Sequence, residues 1–141
     1  MKNIIETKKL CKTFSNGGIQ QHVLKNIDLE IYEGDFTIIM GASGAGKSTL
    51  LYSLSGMDKP TLGSVKFDGK EITKMNTDEL ALFRRSNCGF VFQQVYLVES
   101  MSVLDNLLAA GLLVYRDKKI LVKKAGELLK AVGIEEALWN K

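Results

Sequence analysis

The chain has 141 residues, of which 45% are hydrophobic and 25% charged, and its formal net charge is +3. These values are typical of one globular domain and argue against a strongly basic nucleic-acid-binding protein, so no nucleic-acid partner is expected. No uncharged run approaches the roughly 20 residues that a membrane-spanning helix needs, and the charged N-terminus does not resemble a signal peptide. The two cysteines, Cys11 and Cys88, form no metal-binding or redox spacing. We therefore expect a cytoplasmic protein.

Strand patterns dominate the first 40 residues. Apolar alternation predicts strands over residues 4–11 and 23–31, with a turn at residues 15–18 between them. Phe36–Met40 is apolar on both faces, which predicts a central strand of the kind common in parallel sheets. Residues 47–54 then carry leucines at helical spacing and predict a helix.

The second half is predicted to be mainly helical. The predicted elements are a strand that carries Val65 and Phe67, a helix from residue 76 or 77 to 85, a short buried strand over 88–94, a helix from Ser102 to Tyr115, and a helix over 118–132 that ends at Gly133. The helix at Ser102 is predicted from a capping-box-like pair, Ser102 and Asp105. This order of elements predicts a mixed α/β fold.

Residues 41–49 read GASGAGKST and fit the phosphate-binding pattern G-x-x-x-x-G-K-[ST]. Glycines at 41, 44 and 46 allow backbone N–H groups to approach phosphate closely, and the following helix adds its positive end. Lys47 can bind the β- and γ-phosphates, Ser48 can ligate Mg²⁺, and Thr49 can lie near the α-phosphate. A glycine-rich turn without function would match this pattern in well under roughly one in a hundred chains. The predicted ATP-binding residues of this loop are Gly41, Ala42, Ser43, Gly44, Ala45, Gly46, Lys47, Ser48 and Thr49.

Three stretches around this loop resemble the ATP-binding subunits of ABC transporters. They read LCKTFSNGGIQQHVLKNIDLEIYEGDFTIIMGASGAGKSTLL, LSGMDKPTLGSVKFDGKEI and NCGFVFQQVYLVESMSVLDNL. The resemblance covers essentially the whole chain. It is strongest to the group that serves peptide, macrolide and lipoprotein exporters, in which the wordings RR-x-N-x-GFVFQQ and S-x-LDN are familiar.

The resemblance implies an α/β P-loop NTPase core with an N-terminal antiparallel β-subdomain over 1–100 and the start of an α-helical subdomain over 101–141. It implies ATP hydrolysis coupled to transport across a membrane, in the direction of export, with ATP and Mg²⁺ as cofactors. The implied partners are a transmembrane permease subunit and a second ATP-binding subunit. The implied location is the cytoplasmic face of the cell membrane.

Two further site residues are assigned only by the resemblance. Phe14 matches the aromatic residue that stacks on adenine, and Gln93 matches the Q-loop glutamine that contacts Mg²⁺ or the attacking water. Phe14 could instead be a strand aromatic that fills the core. Gln93 could instead be a polar residue at a strand end, as its neighbour Gln94 illustrates.

Several family motifs are not found in these residues. The Mg²⁺-anchoring Asp and catalytic Glu should end an apolar strand, but Asp68 is followed by glycine and Asp35 precedes its strand. The L-S-G-G-Q signature is absent, and LSGMD at 54–58 lies in the wrong place. His22 lies upstream of the P-loop, whereas the family's switch histidine lies downstream. We expect the isolated chain to be truncated before the signature, marginally stable, prone to associate and unable to turn over ATP efficiently.

Two functional hypotheses remain open at this point. The first is the ATP-binding part of a transport ATPase. The alternative is a catalytically inactive ATP-binding fragment that acts as a regulatory or interaction module. An unrelated P-loop kinase or GTPase fits less well, because no guanine-reading N-K-x-D pattern is present.

Overall fold

The computed structural model describes residues 2–141. They form two compact units, the first ending at Arg84 and the second comprising Arg85–Lys141. No helix in the described part of the chain is both long and apolar enough to cross a membrane.

The first unit is built on an antiparallel sheet of four strands in the order β2-β1-β3-β4. Their bounds are β1 Asn3–Asn16, β2 Ile19–Tyr32, β3 Leu62–Phe67 and β4 Lys70–Glu71. The predicted turn between β1 and β2 is confirmed. Gly17 and Gly18 both have positive φ, 57° and 84°, as a tight hairpin turn requires. Both strands are longer than predicted, because each supplies the other with hydrogen-bonding partners out to the turn.

Two helices belong to the part of the chain that follows the hairpin. Helix α1 spans Lys47–Leu54, as predicted, and α2 spans Thr77–Asn87, two residues longer than predicted. A reciprocal capping box starts α2: Asn76 Oδ1 accepts from the Glu79 amide at 3.0 Å, and Glu79 Oε2 accepts from the Asn76 amide at 2.8 Å. The buried ring of Phe83 on α2 packs edge-on against Phe67 of β3, with 5.1 Å between ring centroids.

The second unit contains α3, Val103–Gly111, α4, Lys118–Ala131, and a short 3-10 helix, Glu136–Leu138. The predicted cap of α3 is confirmed, since Ser102 Oγ accepts from the Asp105 amide at 3.1 Å. However, α3 ends at Gly111 rather than Tyr115, and residues 112–114 form a turn. The Cβ of any other residue at 111 would collide with the Leu121 side chain, so glycine lets α4 approach the end of α3 closely.

Two predicted strands are wrong. Phe36–Met40 and residues 88–94 have no regular secondary structure, and Phe36 is 92% exposed. Consequently Cys11 lies in a strand, as predicted, but Cys88 does not. The physical reason is that a strand needs a neighbouring strand for its hydrogen-bond ladder, and the sheet that residues 2–141 form does not include these segments. Apolar β-branched composition predicts the tendency to pair but does not supply the partner.

Candidate functional site

The glycine-rich loop leads directly into α1. Gly44 and Gly46 have φ values of 77° and 90°, in the left-handed region that favours glycine. Gly46 is the N-cap residue of α1, and no side chain caps the helix there. The first turn of α1 also carries no acidic residue. The positive end of the helix and its unpaired N–H groups are therefore available to an anion.

Lys47 folds back over the start of the same loop. Its Nζ donates to the Gly41 carbonyl at 2.9 Å and to the Ala42 carbonyl at 2.7 Å. Within the loop, the Ala45 amide donates to the Ala42 carbonyl at 3.2 Å. These bonds place a flexible cation beside a turn that exposes backbone N–H groups, which is a suitable arrangement for phosphate.

A β-bulge in β2 supports the loop. Lys12 pairs with Leu24 and Thr13 with His22, so Val23 is the extra residue between two successive pairs. A Cβ added to Gly46 would lie 2.9 Å from Val23 Cγ1 and 3.3 Å from the Val23 carbonyl oxygen. The bulge therefore sets β2 directly against the loop, and only glycine leaves enough room at position 46.

Phe14 lies on the same hairpin. It pairs with Gln21, two residue pairs beyond the bulge at Val23. The residue is 43% exposed, so it does not fill the core. It shares the hairpin with Val23, the residue that lies against Gly46, and its contact with adenine stays a prediction. His22, as expected, is an exposed strand residue, and its Nδ1 lies 2.8 Å from Thr13 Oγ1.

Gln93 lies in the second unit, in an exposed irregular segment. Three aromatic side chains surround this position in sequence: Phe90 stacks on Phe92 at 5.7 Å, and Phe92 meets Tyr96 edge-on at 5.1 Å. The loop residues and Phe14 both belong to the first unit, whereas Gln93 belongs to the second. Its role also stays a prediction.

The residues fit a Mg²⁺ ion that is held mainly by phosphate and water. Ser48 is exposed in the first turn of α1, where its hydroxyl can reach an ion beside a bound phosphate. Among residues 2–141, no three His, Cys, Asp or Glu side chains lie close enough to hold a metal. Mg²⁺ commonly retains several waters and uses few protein ligands, so one hydroxyl next to a nucleotide is consistent with its chemistry.

Three residues of this region were not identified from the sequence: Val23, Lys12, whose Nζ lies 5.0 Å from the centroid of the Phe14 ring, and Asp58, whose Oδ1 accepts from Lys12 Nζ. Lys12 stands two residues before Phe14 on β1, and alternate strand residues share a face, so this spacing could have indicated their contact. The position of the bulge, which makes Val23 the extra residue, depends on the register of strand pairing and has no local sequence signal.

Comparison with known proteins identifies the family. A family model described as ABC transporter matches residues 24–141. An uncharacterized ABC transporter ATP-binding protein of Methanocaldococcus jannaschii is 42% identical over 135 residues, which are 96% of this chain and 60% of that protein. The lipoprotein-releasing system ATP-binding protein LolD of Idiomarina loihiensis is 37% identical over 138 residues, covering 98% of this chain and 60% of LolD.

A solved structure agrees with these relatives. The dimeric post-hydrolysis state of an ATP-binding cassette, bound to ADP and Pi, matches with a TM-score of 0.87 and 38% identity, over 96% of this chain and 60% of that one. The chain thus spans about 60% of the length of these proteins.

The α/β P-loop NTPase fold with an N-terminal antiparallel β-subdomain is confirmed. The relatives favour a transporter ATP-binding protein over the regulatory module. The chain belongs to the ABC transporter family, among its ATP-binding proteins.

Proposed function

We propose that this chain binds Mg²⁺–ATP through residues 41–49 and is the ATP-binding part of an ATPase that powers transport across a membrane. The observation that carries the proposal is the loop itself. Gly46 caps α1 in a left-handed conformation against Val23, while Lys47 lies over the turn. This arrangement offers backbone N–H groups, a helix N-terminus and a cation to one phosphate chain.

Each predicted site residue has a definite role in this proposal. The amides of the loop solvate the phosphates, the Lys47 ammonium binds the β- and γ-phosphates, and Thr49 lies near the α-phosphate. Ser48 ligates Mg²⁺, and Gln93 contacts the ion or the attacking water. Mg²⁺, when bound, neutralises charge on the phosphate oxygens. Phe14 stacks on adenine.

The proposal extends to the assembly. A second ATP-binding subunit and a transmembrane permease subunit are the expected partners, with the chain peripheral on the cytoplasmic face of the membrane. Export is supported by LolD, whose name assigns it to a lipoprotein-releasing system. We further propose that residues 1–100 form the P-loop core with the β-subdomain and that 101–141 begin the helical subdomain.

ATP turnover by these residues alone should be inefficient. Hydrolysis in this chemistry needs a second anchor for Mg²⁺ and a group that orients water. In residues 1–141 no apolar strand ends in Asp-Glu, and no signature motif occurs. We therefore expect binding without efficient hydrolysis.

Equilibrium binding of Mg²⁺–ATP to the full chain, by isothermal titration calorimetry, tests the proposal. Lys47→Ala should weaken binding at least about tenfold, since a charge-assisted bond to phosphate contributes about 1.5–3 kcal/mol. Lys123→Ala, which removes an exposed lysine from α4, is the matched control and should change nothing. Absence of ATP binding, or equal binding by the two variants, would contradict the proposal.

A further inference from the structure

We propose that Lys12 is a positioning residue for nucleotide binding: it fixes the ring of Phe14 and ties it to the segment that follows α1. This inference rests on the proposed function, because it assigns the Phe14 ring to the base of the bound nucleotide. It adds a residue that acts through Phe14 rather than by touching the nucleotide.

Lys12 is a buried cation with a fixed side chain. The residue is only 9% exposed, and its Nζ donates to Asp58 Oδ1 and to the Lys59 carbonyl, both at 2.6 Å. A buried ammonium is stable only when such partners replace its water. Asp58 and Lys59 lie in the segment directly after α1, which ends at Leu54. Lys12 therefore joins β1 to the far end of the phosphate-binding helix.

The same ammonium lies over the ring of Phe14. Its Nζ is 5.0 Å from the ring centroid, within the range of a cation–π interaction. The two residues share a face of β1 because they are two positions apart. Phe14 itself is exposed, so this contact from a buried, doubly bonded cation restrains a ring that solvent alone would leave mobile.

Two further hydrogen bonds join the surrounding strand to the same segment. The Thr61 amide donates to the Cys11 carbonyl at 2.8 Å, and the Thr13 amide donates to Thr61 Oγ1 at 3.0 Å. Residues 11–13 are thus fastened on both sides of Lys12. The bulge at Val23, opposite this stretch of β1, contacts Gly46 of the loop. The hairpin that carries the ring is therefore joined both to the segment after α1 and to the phosphate loop.

A restrained ring binds a base better than a mobile one, because less conformational freedom is lost on stacking. Lys12 should therefore contribute to the affinity for the adenosine part of ATP and not for the phosphates. If Lys12 instead served only general stability, its loss would weaken the binding of ATP and of tripolyphosphate alike.

The experiment compares the binding of Mg²⁺–ATP and of Mg²⁺–tripolyphosphate to the full chain by calorimetry. Lys12→Met, which keeps an unbranched side chain one atom shorter and removes its charge, should weaken ATP binding about two- to fivefold and leave tripolyphosphate binding unchanged. Lys12→Arg should retain most of the ATP affinity, since guanidinium also interacts with aromatic rings. Lys8→Met, at an exposed lysine on the same strand, is the matched control and should behave as the wild type.

The dependence on the ring is tested in the Phe14→Ala background, where adding Lys12→Met should weaken ATP binding no further. If Lys12→Met does not fold, the pair Lys12→Met with Asp58→Asn leaves no unpaired carboxylate and carries the same expectation. Equal losses for ATP and tripolyphosphate, or no loss for either, would overturn the inference alone. Failure of the wild type to bind Mg²⁺–ATP would overturn the proposed function instead.

Discussion

Gly46 shows how one residue type is fixed by two independent constraints. Its φ of 90° is unfavourable for any residue with a Cβ, and that Cβ would also lie 2.9 Å from Val23 Cγ1. The first constraint comes from the turn into α1 and the second from the bulge in β2. The loop pattern predicted the first, but the second is visible only in the structure.

Gly46→Ala should therefore impair both folding and nucleotide binding. We expect a loss of about 1 to 3 kcal/mol in the free energy of unfolding of the first unit, and weaker binding of Mg²⁺–ATP. Urea unfolding followed by circular dichroism, together with calorimetry, measures the two effects. Gly44→Ala is the control for stability, because Gly44 also has a positive φ, 77°, but a Cβ there meets no atom within 4 Å. Similar stability of the two variants would contradict the role given to the Val23 contact.

At the scale of single elements, the helix caps account for where the helices start. Asp117 Oδ1 accepts from the Lys119 amide at 2.8 Å and from the Ile120 amide at 3.4 Å, so it caps α4. Trp139 packs against Gly126 of α4, and its Nε1 donates to the Ile134 carbonyl at 3.1 Å. Trp139 is the only tryptophan of the chain, so its fluorescence reports on the second unit.

Asp117→Ala should lower the free energy of unfolding of the second unit by about 1 kcal/mol, because the amides at the start of α4 lose their acceptor. Asp117→Asn keeps an acceptor of similar quality and should be close to the wild type. Urea unfolding monitored by Trp139 fluorescence measures both. If the two substitutions cost the same, charge rather than capping would be the stabilising factor.

How far sequence predicted these elements depends on whether their determinants are local. The hairpin, α1, α2 and the start of α3 were predicted because glycine pairs, caps and leucine spacing act within a few residues. Phe36–Met40 was predicted as a strand and is not one, since pairing depends on a distant segment. The phosphate loop was predicted from its own residues. The roles of Lys12 and Val23 were not predicted, because their contacts depend on strand register and tertiary packing.

At the scale of the whole molecule, the segment Phe36–Met40 is the feature most expected to cause self-association. Phe36, Ile38 and Met40 are all largely exposed, next to backbone that no described strand pairs. Exposed apolar segments of high strand propensity promote association between molecules.

The chain should therefore associate with itself at high concentration, as light scattering would show. Replacing Phe36 and Ile38 together by lysine should reduce this association, since two like charges oppose edge pairing. Ile19→Lys, at an apolar residue 76% exposed beside the hairpin turn, is the control and should have little effect. Equal association of the wild type and the double variant would show that another surface is responsible.

The central claim is that residues 41–49 hold the phosphates of ATP. The most direct test is the mapping of backbone amide chemical shifts by NMR during titration of the full chain with Mg²⁺–ATP. The account predicts that the largest shifts fall on the amides of Gly41 to Thr49, with smaller ones at Phe14, and that Lys47→Ala strongly reduces them at a subsaturating nucleotide concentration. Shifts concentrated elsewhere, with the loop amides unmoved, would contradict it.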